Sequence, residues 1–124
     1  KNQTVIKKAI KKLHHVFTKG GSENQLHSSR KKIKSLIFIQ KILPQKLVFL
    51  FNFDLKYLKE IENEIGEWND LLDFLKIAKS VYEEENPIIS NTQTQIQQSL
   101  FYIYLLTFNF KESIYLKKEM NTKS

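Results

Sequence analysis

The chain contains no cysteine and only two prolines and three glycines among its 124 residues. The absence of cysteine excludes disulfides, thiolate metal sites and cysteine nucleophiles, and it is consistent with a reducing compartment. Because proline and glycine interrupt helices and form turns, their scarcity favours long helices over a strand-and-turn fold. Nine Phe, five Tyr and one Trp supply bulky side chains for a core.

The sequence also lacks a long hydrophobic run and a segment that resembles a signal peptide. Its most apolar stretch, residues 100–110, is too short to cross a bilayer and is polar on both flanks. The chain begins at Lys1 rather than Met, as a piece of a longer protein would. We therefore expect no transmembrane segment and take a cytoplasmic location as the default.

Acidic residues are almost absent from the first part of the chain. The formal net charge of the whole chain is +7. Residues 1–50 contain 12 Lys or Arg and the single acid Glu23, whereas residues 51–124 contain 8 Lys and 12 acids. Such asymmetry predicts that the first part meets an anionic partner and that the second part is scaffold.

Helical periodicity is clear over residues 4–17, where the apolar side chains share one arc and the lysines the other. Gly20 and Gly21 should end this helix, since glycine readily adopts the left-handed conformation of a C-cap. Ser22 or Asn24 can cap a second helix. We predict that this helix runs to about Leu43, because Pro44 prevents continuation.

A third helix is predicted from a cap at Asn52 or Asp54 to about Tyr82, after a loop that contains the apolar run 47–51. Gly66 lies inside this helix, where it allows a bend or the close approach of a neighbour. Residues 83–91 are predicted as a loop. The whole chain is expected to be one all-α domain, an antiparallel four-helix bundle.

The last helix is predicted to begin at Thr92 or Thr94 and to reach about Lys118. Aromatic residues widen its apolar surface beyond one stripe: Tyr102, Tyr104, Phe108 and Tyr115. Either neighbouring helices wrap this surface, or it contributes to a dimer contact.

The second helix carries a histidine and three cations on one side, with spacings of three and four residues: His27, Arg30, Lys31 and Lys34. The other side is apolar and suited to a core: Leu26, Ile33, Leu36 and Leu43. The first helix adds a lysine-rich face, and no acid occurs from Lys1 to Gly21. These patterns predict binding of a polyanion rather than catalysis.

Two segments in this order resemble a known family. The first is His27-x-x-Arg30-x-x-Ile33-Lys34-x-Leu36, and the second is Leu58-Lys59-Glu60-Ile61-Glu62-Asn63-Glu64-Ile65-Gly66-Glu67-Trp68-Asn69-Asp70. They are similar to the H-x-x-R-x-x-x-[KR]-R-L-R helix and the later L-x-x-L-x-x-x-L-G-x-x-x-D segment of CHAD domains, the conserved-histidine α-helical domains. The resemblance implies a helical module that binds inorganic polyphosphate through a basic surface.

The resemblance places His27, Arg30 and Lys34 at the basic positions of the motif and Asp70 at its acidic position. For Asp70 we expect a structural role, in which its carboxylate holds Arg30 or a lysine in place. Family members usually contain two helical halves, and this chain has the length of one. Two further basic positions fall on Ser35 and Ile37. Lys31 and Lys32 can partly replace these cations, and a homodimer could restore a two-half surface.

Our interpretation is therefore a non-catalytic polyphosphate-binding module without cofactor or metal. The predicted binding residues are Lys7, Lys8, Lys11, His27, Arg30, Lys31 and Lys34. Neighbouring His14 and His15 face different directions on a helix, which disfavours a metal site. The chain also has no phosphate-cradling glycine loop, nucleophile motif or paired carboxylates placed for acid–base chemistry.

Two alternatives remain open at the level of sequence. The first is a histidine phosphotransfer bundle in which His27 is phosphorylated and passes the phosphoryl group on. The second is a binder of nucleic acid or of an acidic membrane. Single-stranded nucleic acid would call for stacking aromatics, yet the aromatics here are concentrated in the acidic part of the chain, at core positions.

Overall fold

The computed structural model describes residues 2–42 and 52–116. Within these ranges it contains four long helices and one short one: α1 (Asn2–Lys19), α2 (Glu23–Ile42), α3 (Leu55–Val81), α4 (Pro87–Thr107) and α5 (Phe110–Ser113). An isolated bridge also joins Phe53 to Tyr115. The prediction of an all-α helical bundle is confirmed. The predictions for Leu43, Pro44, the run 47–51 and the helix end near Lys118 lie outside the described residues.

The turn between α1 and α2 follows from local chemistry. Gly20 takes a positive φ of 75°, and its N–H donates to the carbonyl of Val16 at 3.0 Å. Ser22 then forms a reciprocal capping box with Gln25, since each side chain accepts from the other residue's backbone N–H, at 3.2 and 2.8 Å. The predicted glycine stop and the Ser22 cap are both confirmed, and the short turn makes α1 and α2 antiparallel.

Helix α3 is the long central element, and Asp54 is its N-cap. The Asp54 carboxylate accepts from the N–H of Tyr57 at 3.1 Å. Of the two predicted caps, Asn52 and Asp54, the structure thus has Asp54. The helix continues without interruption past Gly66 to Val81. The Tyr57 hydroxyl donates to the carbonyl of Leu106 at 2.6 Å, so the start of α3 meets the end of α4 and the two helices are antiparallel.

The predicted start of the last helix was wrong by several residues. Helix α4 begins at Pro87 rather than at Thr92 or Thr94, so residues 87–91 are helical and not loop. Asn86 is the N-cap, its side chain accepting from the N–H of Ile88 at 2.9 Å. The proline itself fits the first turn, because its missing N–H has no helical partner there and its φ is already helical.

The core is a single cluster to which every helix contributes. Residues of α1 that repeat every three or four positions enter it: Ile6, Ile10, Leu13 and Phe17. Leu26, Ile33 and Leu36 of α2 are buried as predicted. From α3 the cluster includes the fully buried Leu58, Ile61 and Ile65. Within the described ranges, no helix combines the length and apolarity needed to cross a membrane.

Candidate anion-binding site

A groove of about 700 Å³ runs between α1 and α2, and we call it the basic groove. Its floor is apolar, with Leu13 and Val16, and its walls carry four lysines, a histidine and small polar side chains: Lys8, Lys11, Lys12, His15, Gln25, Ser28, Ser29 and Lys32. None of the described residues that line the groove is acidic. Like-charged side chains therefore converge with no neutralising partner in the described lining, an arrangement that favours a bound anion.

The basic groove contains two of the predicted binding residues, Lys8 and Lys11, and the structure adds others that the sequence analysis did not select. Lys12 and His15 project from α1, and Lys32 projects from α2, where its ammonium donates to the Ser28 hydroxyl at 3.4 Å. These positions could have been found by aligning the two helices across the short glycine turn, which brings residues near 12 opposite residues near 28.

The rest of the predicted set is distributed over other surfaces. His27 and Lys31 are exposed on the outward face of α2, away from the basic groove. Lys7 lies in a separate recess between α1 and α5, where Lys11 and Lys111 also contribute to the lining. The structure therefore does not bring all seven predicted residues together in one site.

Arg30 and Lys34 lie against α3 instead, where they converge on one buried carboxylate. We call Arg30, Lys34, Lys59 and Glu62 the Glu62 cluster. The Glu62 side chain is only 7% exposed and lies 3.4 Å from Arg30 Nη2, 3.8 Å from Lys34 Nζ and 3.2 Å from Lys59 Nζ. Three cations share one carboxylate, so positive charge remains in excess in this cluster.

Gly66 explains how the Arg30 guanidinium reaches α3. Arg30 Nε donates to the backbone carbonyl of Glu62 at 3.0 Å, which places the guanidinium flat against the next turn of the helix. A Cβ at position 66 would lie 3.0 Å from Nη2 and 3.1 Å from Nε. The predicted close approach of a neighbour at Gly66 is thus present, and the neighbour is the Arg30 guanidinium.

Asp70 was predicted to hold Arg30 or a lysine. It is exposed and shares a small recess of about 250 Å³ with Arg30, Gly66 and Glu67. In the described part of the chain, however, Glu62 forms the ion pairs with Arg30 and Lys34. Helical spacing could have identified Glu62, since it lies four residues after Leu58 and three before Ile65, on the buried face of α3. Glu60 and Glu64 lie outside that face.

Among the described residues, no group of three or more His, Asp or Glu side chains is placed to hold a metal ion. No family model, curated protein or solved structure matches this chain significantly.

Proposed function

We propose that this chain binds inorganic polyphosphate non-catalytically through the basic surface of α1 and α2. The observation that carries the proposal is the basic groove, in which four lysines and His15 converge and none of the described lining residues supplies a carboxylate. A polyphosphate chain carries one negative charge at each linking phosphate, so it can pair with successive lysines along a groove. The resemblance of the His27 and Asp70 segments to CHAD domains supports the same ligand.

The affinity should come from many weak contacts rather than from one specific pocket. Lys8, Lys11 and Lys12 are exposed and carry point charges on flexible stems, each able to contact a phosphate oxygen. Binding releases the counterions that surround the polyanion, so affinity should fall steeply with salt and rise with polyphosphate chain length.

The Glu62 cluster extends this surface on the other side of α2. Its excess positive charge attracts an anion, while Glu62 keeps Arg30 and Lys34 oriented. His27 and Lys31 lie on the outward face of α2 and can continue the path of the polyanion. We expect these side chains to contribute less than the groove. Glu62 partly neutralises Arg30 and Lys34, and His27 and Lys31 are exposed outside the groove.

The test compares long-chain polyphosphate, short-chain polyphosphate and duplex DNA in parallel titrations over a series of salt concentrations. The proposal expects the tightest binding to long-chain polyphosphate. Equal or tighter binding of DNA would favour the nucleic-acid alternative. A phosphorylated His27 that is retained with a histidine kinase partner, in a protein that binds no polyphosphate, would favour the phosphotransfer alternative.

Three double variants that remove the same number of charges locate the site. Lys11→Ala/Lys32→Ala removes two of the four groove lysines. Lys31→Ala/Lys34→Ala removes two cations of α2 that lie outside the groove, and Lys76→Ala/Lys79→Ala is the control on the far part of α3. All these side chains except Lys32 are exposed, and Lys32 is half-buried, so the fold should persist. We expect the groove pair to weaken binding most and the control pair least. Equal losses in all three would show that only net charge matters.

A further inference from the structure

Helix α4 carries no charged residue along its whole length, from Pro87 to Thr107. One face of the helix enters the core through Ile96 and Ile103. In a protein with 20 Lys or Arg and 13 Asp or Glu, an uncharged helix of 21 residues is exceptional. The first half of its outer face is polar, with exposed Gln, Ser, Asn and Thr side chains, whereas the second half is largely apolar. An exposed apolar surface on a helix without charges indicates contact with something other than water.

The outer face of α4 exposes large apolar side chains at helical spacing. We call these side chains the α4 stripe: Phe101 (61% exposed), Tyr104 (51%), Leu105 (54%) and the C-cap residue Phe108 (60%). Since an aromatic side chain offers roughly 200 Å² of surface, the stripe presents on the order of 450 Å² of apolar area. That area is more than half of the ~800 Å² that each partner buries in a stable interface. The neighbouring helices thus do not wrap the wide apolar surface noted in the sequence.

A recess adjoins this stripe on the same face of the molecule. It lies between α1 and α4, has a volume of about 330 Å³ and is lined mainly by apolar side chains and glycines. Tyr104 belongs both to the stripe and to the wall of the recess. Val16, Phe17 and Leu100 also contribute to the lining. One face of the molecule therefore combines projecting aromatic rings with an apolar recess able to receive one.

We propose that two copies of this chain associate through their α4 stripes, each inserting Phe101 into the α1–α4 recess of the other. A two-fold contact requires a surface patch that is complementary to itself. A projecting Phe101 ring and a recess on the same face meet this requirement. An unrelated partner would need only one of the two features. Because α4 is uncharged, its surface can be buried without removing a charge from water. The association is independent of the polyphosphate proposal.

Sedimentation velocity from low micromolar to submillimolar protein tests the association. We expect a concentration-dependent dimer, for which Phe101→Glu raises the dissociation constant about 30-fold or more, as at an interface hot spot. Phe74→Glu is the matched control, since Phe74 is an exposed phenylalanine on α3 outside the stripe. It should leave the dimer unchanged. A wild-type chain that stays monomeric at submillimolar concentration, or a Phe101→Glu variant that dimerises like wild type, overturns the proposal.

Cysteine cross-linking provides a second test that does not depend on the Phe101 variant. The chain has no cysteine, so a single introduced thiol reports only on its own position. Gln98→Cys places a thiol on the exposed outer face of α4, one turn before Phe101, and Ser35→Cys places one on the exposed face of α2. A flexible bis-maleimide, which can span two facing α4 helices, should link the Gln98→Cys copies and not the Ser35→Cys copies. Equal cross-linking of the two variants, or none at Gln98→Cys, contradicts the proposed interface.

Discussion

Helix α2 presents cationic side chains on two sides, and the two sides differ in whether a carboxylate neutralises them. On the side toward α1, Lys32 joins the lysines of α1 in a groove whose described lining contains no carboxylate. On the side toward α3, Arg30 and Lys34 share the buried carboxylate of Glu62. Where a carboxylate is present, the cations hold two helices together; where it is missing, their charge remains available to a ligand.

The strongest test of this comparison replaces the groove lysines. Changing Lys8, Lys11, Lys12 and Lys32 to Gln should weaken long-chain polyphosphate binding roughly 100-fold at low salt. The slope of log affinity against log salt should decrease by about 3, since four phosphate contacts are lost. Titration at several salt concentrations measures both quantities. The free energy of unfolding should not fall, because the change relieves repulsion between like charges. An unchanged slope would contradict the assignment of the groove.

In contrast to the groove variant, Glu62→Gln should lower stability and leave polyphosphate binding intact. The variant leaves Arg30, Lys34 and Lys59 without their carboxylate, so we expect the free energy of unfolding to fall by about 2 kcal/mol. The loss should be smaller than for a fully buried ion pair, because the three cations are 30%, 52% and 60% exposed. Polyphosphate affinity should stay the same or increase, as the surface becomes more positive.

Urea denaturation and the same titration check both parts of this prediction. Glu67→Gln is the matched control, since Glu67 is an exposed acid on the same helix. It should change stability by no more than about 0.5 kcal/mol. A Glu62→Gln variant as stable as the control would mean that the Glu62 cluster does not hold α2 to α3.

The contact between Arg30 and Gly66 allows a finer test through a double-mutant cycle. When Arg30 is present, the Cβ introduced by Gly66→Ala displaces the guanidinium from α3. The stability lost with that contact opposes the stability gained from the higher helix propensity of alanine. In an Arg30→Ala background the displacement no longer occurs, so Gly66→Ala should stabilise the protein by about 1 kcal/mol. Denaturant unfolding of the four proteins gives the coupling energy. A coupling near zero would show that position 66 does not require glycine for the sake of Arg30.

The α3–α4 contact offers a reference that depends on no cation, and its contribution to stability changes with pH only in the alkaline range. Burial raises the pKa of Tyr57 to about 12, while its hydroxyl donates to the carbonyl of Leu106. A group with a raised pKa in the folded state contributes fully below its unfolded value of about 10, and this contribution is lost as pH rises toward 12. Tyr57→Phe should therefore lose less stability than wild type between pH 10 and 12. Parallel unfolding curves for the two proteins over this range would contradict the role of Tyr57.

Most of the fold could be predicted because it depends on local signals. The glycine turn after α1, the Ser22 cap and the Asp54 cap all lie next to the helix ends that they determine. The start of α4 was missed because Pro87 was interpreted as a loop residue, although proline is also favoured in the first turn of a helix. Asn86 resolves this ambiguity, because its side chain accepts a hydrogen bond from the N–H of Ile88 and so marks the N-cap immediately before Pro87.

The candidate site was less predictable because it depends on how the helices are rotated against one another. The residues from His27 to Lys34 were predicted to form one stripe on α2, yet Arg30 lies against α3 while His27 is exposed to solvent. Two local signals of that contact were present in the sequence: Gly66, and the position of Glu62 at helical spacing from Leu58 and Ile65. Which residue of α2 meets them depends on the rotation of the two helices, which the sequence pattern does not give.

The most direct measurement is a ¹H–¹⁵N correlation spectrum of the labelled protein titrated with long-chain polyphosphate. Our account predicts that the largest shift changes fall on residues 8–16 of α1 and 25–32 of α2, which line the basic groove. Smaller changes should follow the outward face of α2, and the amides of residues 70–81 of α3 should be unaffected. Changes spread evenly over every exposed lysine, or concentrated outside α1 and α2, would contradict the central claim that the groove binds polyphosphate.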